Sequence, residues 1–263
     1  MPFIELADRV WATAPEPGVP TVTAVAGGSG LLLVDAPALV TGGVSAGGLV
    51  EDVRRLGAGP VTAVALTHAH LPHVAGAAGL RGAYVVPPVV VAHETAAEEL
   101  RVAGAADPDR TFSSALVLEL GDRAVELVHP GRAHSAGDLL VRVPDADVVV
   151  VGDLVSAAGP AAYGPDCWPL DWPRSLDVLL QVLTSASVVV PGHGPRTDRD
   201  GVEEHRATIG IVAETVRDAA GRGVPLDDAL AAAEWPWPRE ALGEAVRRGY
   251  AQLPRSQRRL PLL

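Results

Sequence analysis

The chain has 263 residues, 48% hydrophobic and 20% charged, with a formal net charge of -11. Such a composition supports a packed core, in one large domain or two small ones, and excludes disorder as the default. Nucleic acid is an unsuitable partner for it: the basic residues are all arginine, and their densest clusters are only Arg247-Arg248 and the stretch Arg255 to Arg259.

Taken in chain order, Met1-Pro2-Phe3-Ile4-Glu5 lacks the positive stretch and apolar core of a secretory signal. Val22 to Ala26 and Leu31 to Val34 suit strands, and Gly27-Gly28-Ser29-Gly30 between them suits a hairpin turn rather than a phosphate loop, since neither a lysine nor a helix follows. Leu49, Val53 and Leu56 recur at helical spacing with charged residues between them, as on a helix covering a sheet. Val61 to Leu66 is a further apolar strand running into Thr67-His68-Ala69-His70-Leu71-Pro72-His73. A strand is predicted over Ala83 to Val86, a helix over Glu94 to Val102, and a polar loop from Ala105 to Arg110.

Four strands then follow as a meander, Leu116 to Leu120, Ala124 to Val128, Leu139 to Val143 and Val148 to Val151, divided by turn residues such as Gly121-Asp122 and Pro144-Asp145. A helix over Ser175 to Leu183 precedes a last strand, Val188 to Val190, which ends in Pro191-Gly192-His193-Gly194. Beyond Gly201 the stripes Ile209, Val212, Val216 and Leu242, Val246, Tyr250 are helical. No segment approaches the roughly 18 apolar residues of a membrane helix. The lone Cys167 has no partner for an internal disulfide, which fits a reducing compartment, so a cytoplasmic location is expected.

This order is satisfied by two sheets packed face to face and covered outside by helices, a single domain over residues 1–263 with a helical C-terminal extension from about residue 201. Five of the eight histidines fall in three short loops that follow predicted strands: His68, His70 and His73, then His134, then His193. Strand ends converge along a sheet edge, so these groups can meet there, and neutral imidazole is a good ligand for zinc or iron. Asp153, just after Val148 to Val151, is the natural carboxylate to complete the set.

His68-Ala69-His70-Leu71-Pro72-His73, Gly131-Arg132-Ala133-His134-Ser135-Ala136-Gly137-Asp138, Gly152-Asp153 and Pro191-Gly192-His193-Gly194 resemble, in order, the metal-binding motifs of the metallo-β-lactamase-fold superfamily. The resemblance implies an αββα sandwich of two mixed sheets. It also implies a first metal held by His68, His70 and His134, a second held by His73 and His193, and Asp153 shared between them. It further implies a hydrolase of a small ester, thioester, lactone or amide that uses a metal-bound hydroxide, with zinc, one or two ions, as the expected cofactor and iron as the alternative. One position departs from the family pattern: the aspartate usual before the last histidine of the first motif is Pro72, which has no side-chain oxygen. A catalytically silent metal-binding relative with a regulatory role, and an iron-dependent redox enzyme, are therefore the rival expectations.

Taken singly, a histidine is more often structural, so His93, His129 and His205 are expected to be so, with His129 near enough to His134 in the chain to support it. Asp138 and Asp35 are expected to fix loops or to stand behind the ligands, and Cys167 to be packing. Trp168 and Trp172 are candidates for an apolar pocket wall, and Trp235-Pro236-Trp237-Pro238 for shaping the pocket or for a homodimer contact.

Overall fold

The computed structural model describes residues 2–37 and 46–254, so the Arg255 to Arg259 cluster lies outside the described residues. A hairpin of β1 (Phe3–Ala7) and β2 (Val10–Thr13) leads into β3 (Thr23–Gly27) and β4 (Gly30–Val34), which pair antiparallel across the predicted glycine turn. Then come α1 (Ala46–Arg55), β5 (Val61–Ala65), α2 (Leu71–Val74), α3 (Ala77–Ala83), β6 (Val89–His93), α4 (Glu94–Val102) and β7 (Arg110–Phe112). These seven strands lie side by side in chain order, antiparallel up to β4 and parallel beyond it.

The second sheet is built from β8 (Ala115–Glu119), β9 (Ala124–Val128), β10 (Leu140–Val143) and β11 (Val148–Ser156), an antiparallel meander. Helix α5 (Trp172–Val182) then carries the chain across to β12 (Val188–His193), which adds to β11 in parallel. Helices α6 (Arg199–Gly221), α7 (Leu226–Ala229) and α8 (Gly243–Gln252) complete the described chain. Among the described residues, no helix is long and apolar enough to cross a membrane.

Strand alternation sorts the apolar residues into layers. On β4, Leu32 and Val34 join Leu127, Val141 and Val150 between the two sheets, while Leu31 and Leu33 face outward onto Val53 of α1 and Leu100 of α4. Both faces of this strand are thus covered, which explains its unbroken apolar sequence. The outer face of the second sheet is covered by Leu176 and Leu179 of α5 and by Val202, Ile209 and Val212 of α6. The result is the expected sandwich of two mixed sheets with helices outside.

Local expectations failed in three places. The strand predicted over Ala83 to Val86 is instead the end of α3 followed by a bend in which Val85 and Val86 are exposed. Pro87 and Pro88 have no N–H to give to a ladder, so pairing begins only at Val89. The hairpin of β1 and β2 and the three-residue β7 were not anticipated, because β1 shows no clean alternation and β7 is too short to carry a period.

His205 of α6 is structural, as expected: it is buried, and its ring lies 5.8 Å from that of Trp237. Burial pushes its pKa from 6.5 down to about 4, against the effect of its bond to the Leu154 backbone. The unfolded chain therefore takes up this proton at higher pH than the folded one. Stability attached to His205 is complete above pH 6.5 and drains as the pH falls toward 4. Urea unfolding should show a loss of about 1–2 kcal/mol from this residue between about pH 7 and about pH 5, and His205→Gln should shrink that loss.

Candidate metal centre

The segments leaving the C-terminal ends of β4, β5, β11 and β12, together with the loop between β9 and β10, meet at one edge of the sandwich. His68 and His70 follow β5, and His73 lies in α2, whose first turn accepts Pro72 because no helical N–H is needed there. His134 comes from the β9–β10 loop, Asp153 lies within β11, and His193 closes β12. Two glycines let the backbones approach. Gly152 has φ 53°, and a Cβ there would lie 2.8 Å from Thr67 Oγ1, while one at Gly192 would run into Asp153.

Donor atoms of His68, His70 and His134 lie within 4.8 Å of one another, as do those of His68, His73 and Asp153. His193 belongs to neither trio and joins them through Asp153, whose Oδ1 lies 2.9 Å from His193 Nδ1. Asp153 Oδ1 is also 3.4 Å from His73 Nε2, and its Oδ2 is 3.6 Å from His134 Nε2, so the carboxylate stands between the two groups. All six sequence-predicted site residues are brought to one place.

Outer partners decide which nitrogen each ring presents. Thr67 Oγ1 donates its one proton to Asp35 Oδ2 at 2.8 Å and so accepts from His68 Nδ1 at 3.0 Å. That leaves His68 Nε2 with its lone pair directed into the cluster, buried and without a hydrogen-bond partner. His134 Nδ1 donates to the Ala162 carbonyl at 2.9 Å, and His70 Nε2 donates to Asp166 Oδ2 at 2.9 Å, so His134 Nε2 and His70 Nδ1 face each other 2.9 Å apart. Asp35 Oδ2 also accepts from His73 Nδ1 at 2.8 Å, while Oδ1 accepts from the Thr67 backbone N–H at 2.7 Å.

The electrostatics follow from burial and these carboxylates. Burial, helped by His73 and His134, holds His68 well below its ordinary value, and burial takes His134 down to about 4. His70 is raised by its bond to Asp166. Burial opposes charge on His73, yet Asp35 and Asp153 outweigh it and push this ring up to about 10, so a cation at His73 Nε2 competes with a proton. Asp153 is likewise resisted by burial but is held well below the carboxylate range by His193 and His73.

These features pass the test of fit for a metal. Several neutral imidazole nitrogens and one carboxylate converge, two of the nitrogens, His68 Nε2 and His73 Nε2, are buried without a hydrogen bond, and each trio offers three donors.

The supporting residues were only half visible in the sequence. Asp35 stands behind His73 and Thr67, within the alternatives foreseen for it. Asp138 fixes its loop by accepting from the Ser135 N–H and hydroxyl at 2.9 and 2.8 Å, and burial raises it to about 7. Asp166 was missed: it lies 96 residues from the histidine it orients, in a loop with no motif of its own. His129 contacts the Asp138 carbonyl at 2.8 Å and stacks on His93 at 3.9 Å, and so supports the loop rather than a ligand ring. Cys167 is buried packing, its thiol pushed up to about 12 by burial.

Neither tryptophan lines the cavity that opens beside Asp153 and His193. Trp172 is fully buried, donates to the Leu154 carbonyl at 3.1 Å and underlies His134 with ring centroids 5.8 Å apart. Trp168 lies under the Arg132 guanidinium at 3.8 Å. A cavity of about 640 Å³ does open on Asp153 and His193, but its walls are the Pro15 to Gly18 turn and residues of the loops after β11 and β12.

Residues 15–209 match the sequence profile of the metallo-β-lactamase superfamily. Among curated proteins, the metallo-β-lactamase type 2 of Bacillus cereus is 31% identical over 157 residues, 57% of this chain and 59% of that protein. The protein of the same name from Bacteroides fragilis is 27% identical over 106 residues, 39% and 41% of the two chains. This chain thus spans less than two thirds of the length of either relative. Similar solved structures include the metallo-β-lactamase from Pontibacter korlensis, with 24% identity, TM-score 0.70, and 79% of this chain and 98% of that one covered. That from Erythrobacter litoralis has 20% identity, TM-score 0.66, and coverage of 80% and 96%. At these identities the likeness is one of fold.

Proposed function

Because this chain belongs to the metallo-β-lactamase superfamily, we propose that its histidine cluster binds zinc and that the protein hydrolyses a small ester, thioester, lactone or amide. The observation that carries the proposal is the convergence of His68 Nε2, His70 Nδ1 and His134 Nε2, each turned inward by a partner on the far side of its ring. These three would hold one ion. His73, His193 and Asp153 would hold a second, with Asp153 placed to serve both. A bound divalent ion supplies Lewis acidity, which polarises a carbonyl and brings the ionisation of water down to about pH 7.

The chain's own contribution is to fix ligand geometry and to offer a half-open cavity at Asp153 and His193, where a substrate carbonyl can approach. A side-chain nucleophile is not required, and Cys167, buried with its thiol pushed up to about 12, is unsuited to be one. The name shared by the curated relatives points to β-lactams, which are cyclic amides within the proposed class. One fold hosts many substrates, so the cavity rather than the fold selects among them.

Elemental analysis of the purified protein should find one or two equivalents of zinc. Turnover of an ester and thioester panel should vanish on chelation and return with added zinc. A protein that is metal-free and takes up none would overturn the proposal.

Pro72 favours one rival, a metal-binding relative without turnover. It lies exposed in the first turn of α2 and offers no oxygen next to His73. For a working hydrolase with a weakened second site, Pro72→Asp should tighten binding of a second zinc by about tenfold or more, with basal turnover already present in the parent. If the parent binds zinc but hydrolyses nothing and only the Pro72→Asp variant turns over, the silent reading holds.

A further inference from the structure

We propose that the cavity beside Asp153 and His193 prefers acyl substrates that are neutral or cationic away from the scissile bond, and that Glu16 sets this preference. The inference rests on the hydrolase reading and adds the charge class of the substrate. Glu16 occupies the first position of the turn Glu16-Pro17-Gly18-Val19, closed by Val19 N–H donating to the Glu16 carbonyl at 3.1 Å. Proline at the second position and Gly18 at φ 73° suit a type II turn, a stiff one. The segment is also tied to the site, because Thr21 N–H donates to the Gly192 carbonyl at 2.8 Å, one residue before His193. The backbone of residue 16 is therefore fixed on the wall of the cavity that opens on the metal centre, and its exposed side chain carries a negative charge there.

The remaining walls are prolines, glycines, alanines and Ser156, and among the described residues none of the lining side chains is an arginine. The sequence contains no lysine at all. The arginine nearest to the ligands in the chain, Arg132, is engaged elsewhere, 2.7 Å from Asp171 and stacked on Trp168 at 3.8 Å. Arg196 flanks the cavity without lining it: it borders an adjoining hollow with Ile4 and Leu6 that shares Pro15, Gly194 and Pro195. An anionic group that reaches this wall, away from the metal centre, would thus meet Glu16 and no lining arginine, within a chain whose formal net charge is -11. A cationic or neutral group meets no such repulsion.

The test uses the zinc-loaded protein and three p-nitrophenyl esters whose acyl chains end in tert-butyl, trimethylammonium or carboxylate. We expect kcat/KM to be highest for the cationic or neutral ester and about threefold or more lower for the anionic one. Glu16→Arg should shift the cationic-to-anionic ratio by about tenfold toward the anion, Glu16→Gln should shift it by less, and zinc content should not change. Added salt should shrink the ratio in the parent. A parent that favours the carboxylate ester, or a ratio unmoved in Glu16→Arg, overturns the inference. If zinc is bound and no ester is turned over, the hydrolase reading fails by itself. The charge preference is then decided by the dissociation constants of aryl ketones bearing the same three end groups, measured by calorimetry, with the same ordering and the same Glu16→Arg shift expected.

Discussion

His134→Ala is expected to lose the first zinc ion and, with it, more than about a hundredfold of kcat/KM. Changes to residues that merely support a ligand cost about 10- to 100-fold in metal affinity or activity, and His134 offers one of the three nitrogens that would hold the ion. The ring is also the group to which Asp153 comes closest on that side, 3.6 Å from Oδ2, so the carboxylate would lose a neighbour as well. Zinc content after dialysis against a weak chelator, measured alongside turnover, checks both halves. A variant that keeps its full metal complement would show that the ions are held elsewhere, and the proposed assignment would fall. Because His134 is buried against Trp172, near-ultraviolet circular dichroism should accompany the assay to show that the fold survives.

Asp35→Asn should separate support from ligation. The wild-type carboxylate accepts three hydrogen bonds, from the Thr67 N–H, the Thr67 hydroxyl and His73 Nδ1. An amide can replace only part of this set, since its NH₂ end is a donor. With its nitrogen in place of Oδ1 the amide sets a donor against the Thr67 N–H; with its nitrogen in place of Oδ2 it sets a donor against the Thr67 hydroxyl and His73 Nδ1, which forces the wrong tautomer on His68 or His73. Zinc affinity should fall by about 10- to 100-fold while the fold persists, because Asn tolerates the backbone at φ 64° nearly as well as Asp. Asp35→Ala loses that tolerance together with all three bonds at a buried site, and should lower folding stability by about 3 kcal/mol or more. Competition titration against a chromogenic chelator and urea unfolding distinguish the two effects. Equal zinc affinity in Asp35→Asn and the parent would refute the supporting role.

The amino-acid sequence alone was enough to place most of the elements and to nominate the six residues that meet at the sheet edge. Alternation, helical spacing and turn residues are short-range signals, which is why the helix Glu94–Val102 and the meander that ends in β11 were visible in advance. His68, His70, His73, His134, Asp153 and His193 stood out because each follows a strand predicted from the sequence, and strand ends gather in space, although β11 runs on past Val151 and takes Asp153 into the strand itself. Packing decided the rest. That Asp166 turns His70, that Trp172 lies under His134 instead of lining a pocket, and that Glu16 borders the cavity are all consequences of contacts between segments distant in the chain. Such contacts form only when two sheets and their helices close on one another. A side chain's partner is set by that closure and leaves no period or motif in its own neighbourhood, so only the tertiary structure decides it.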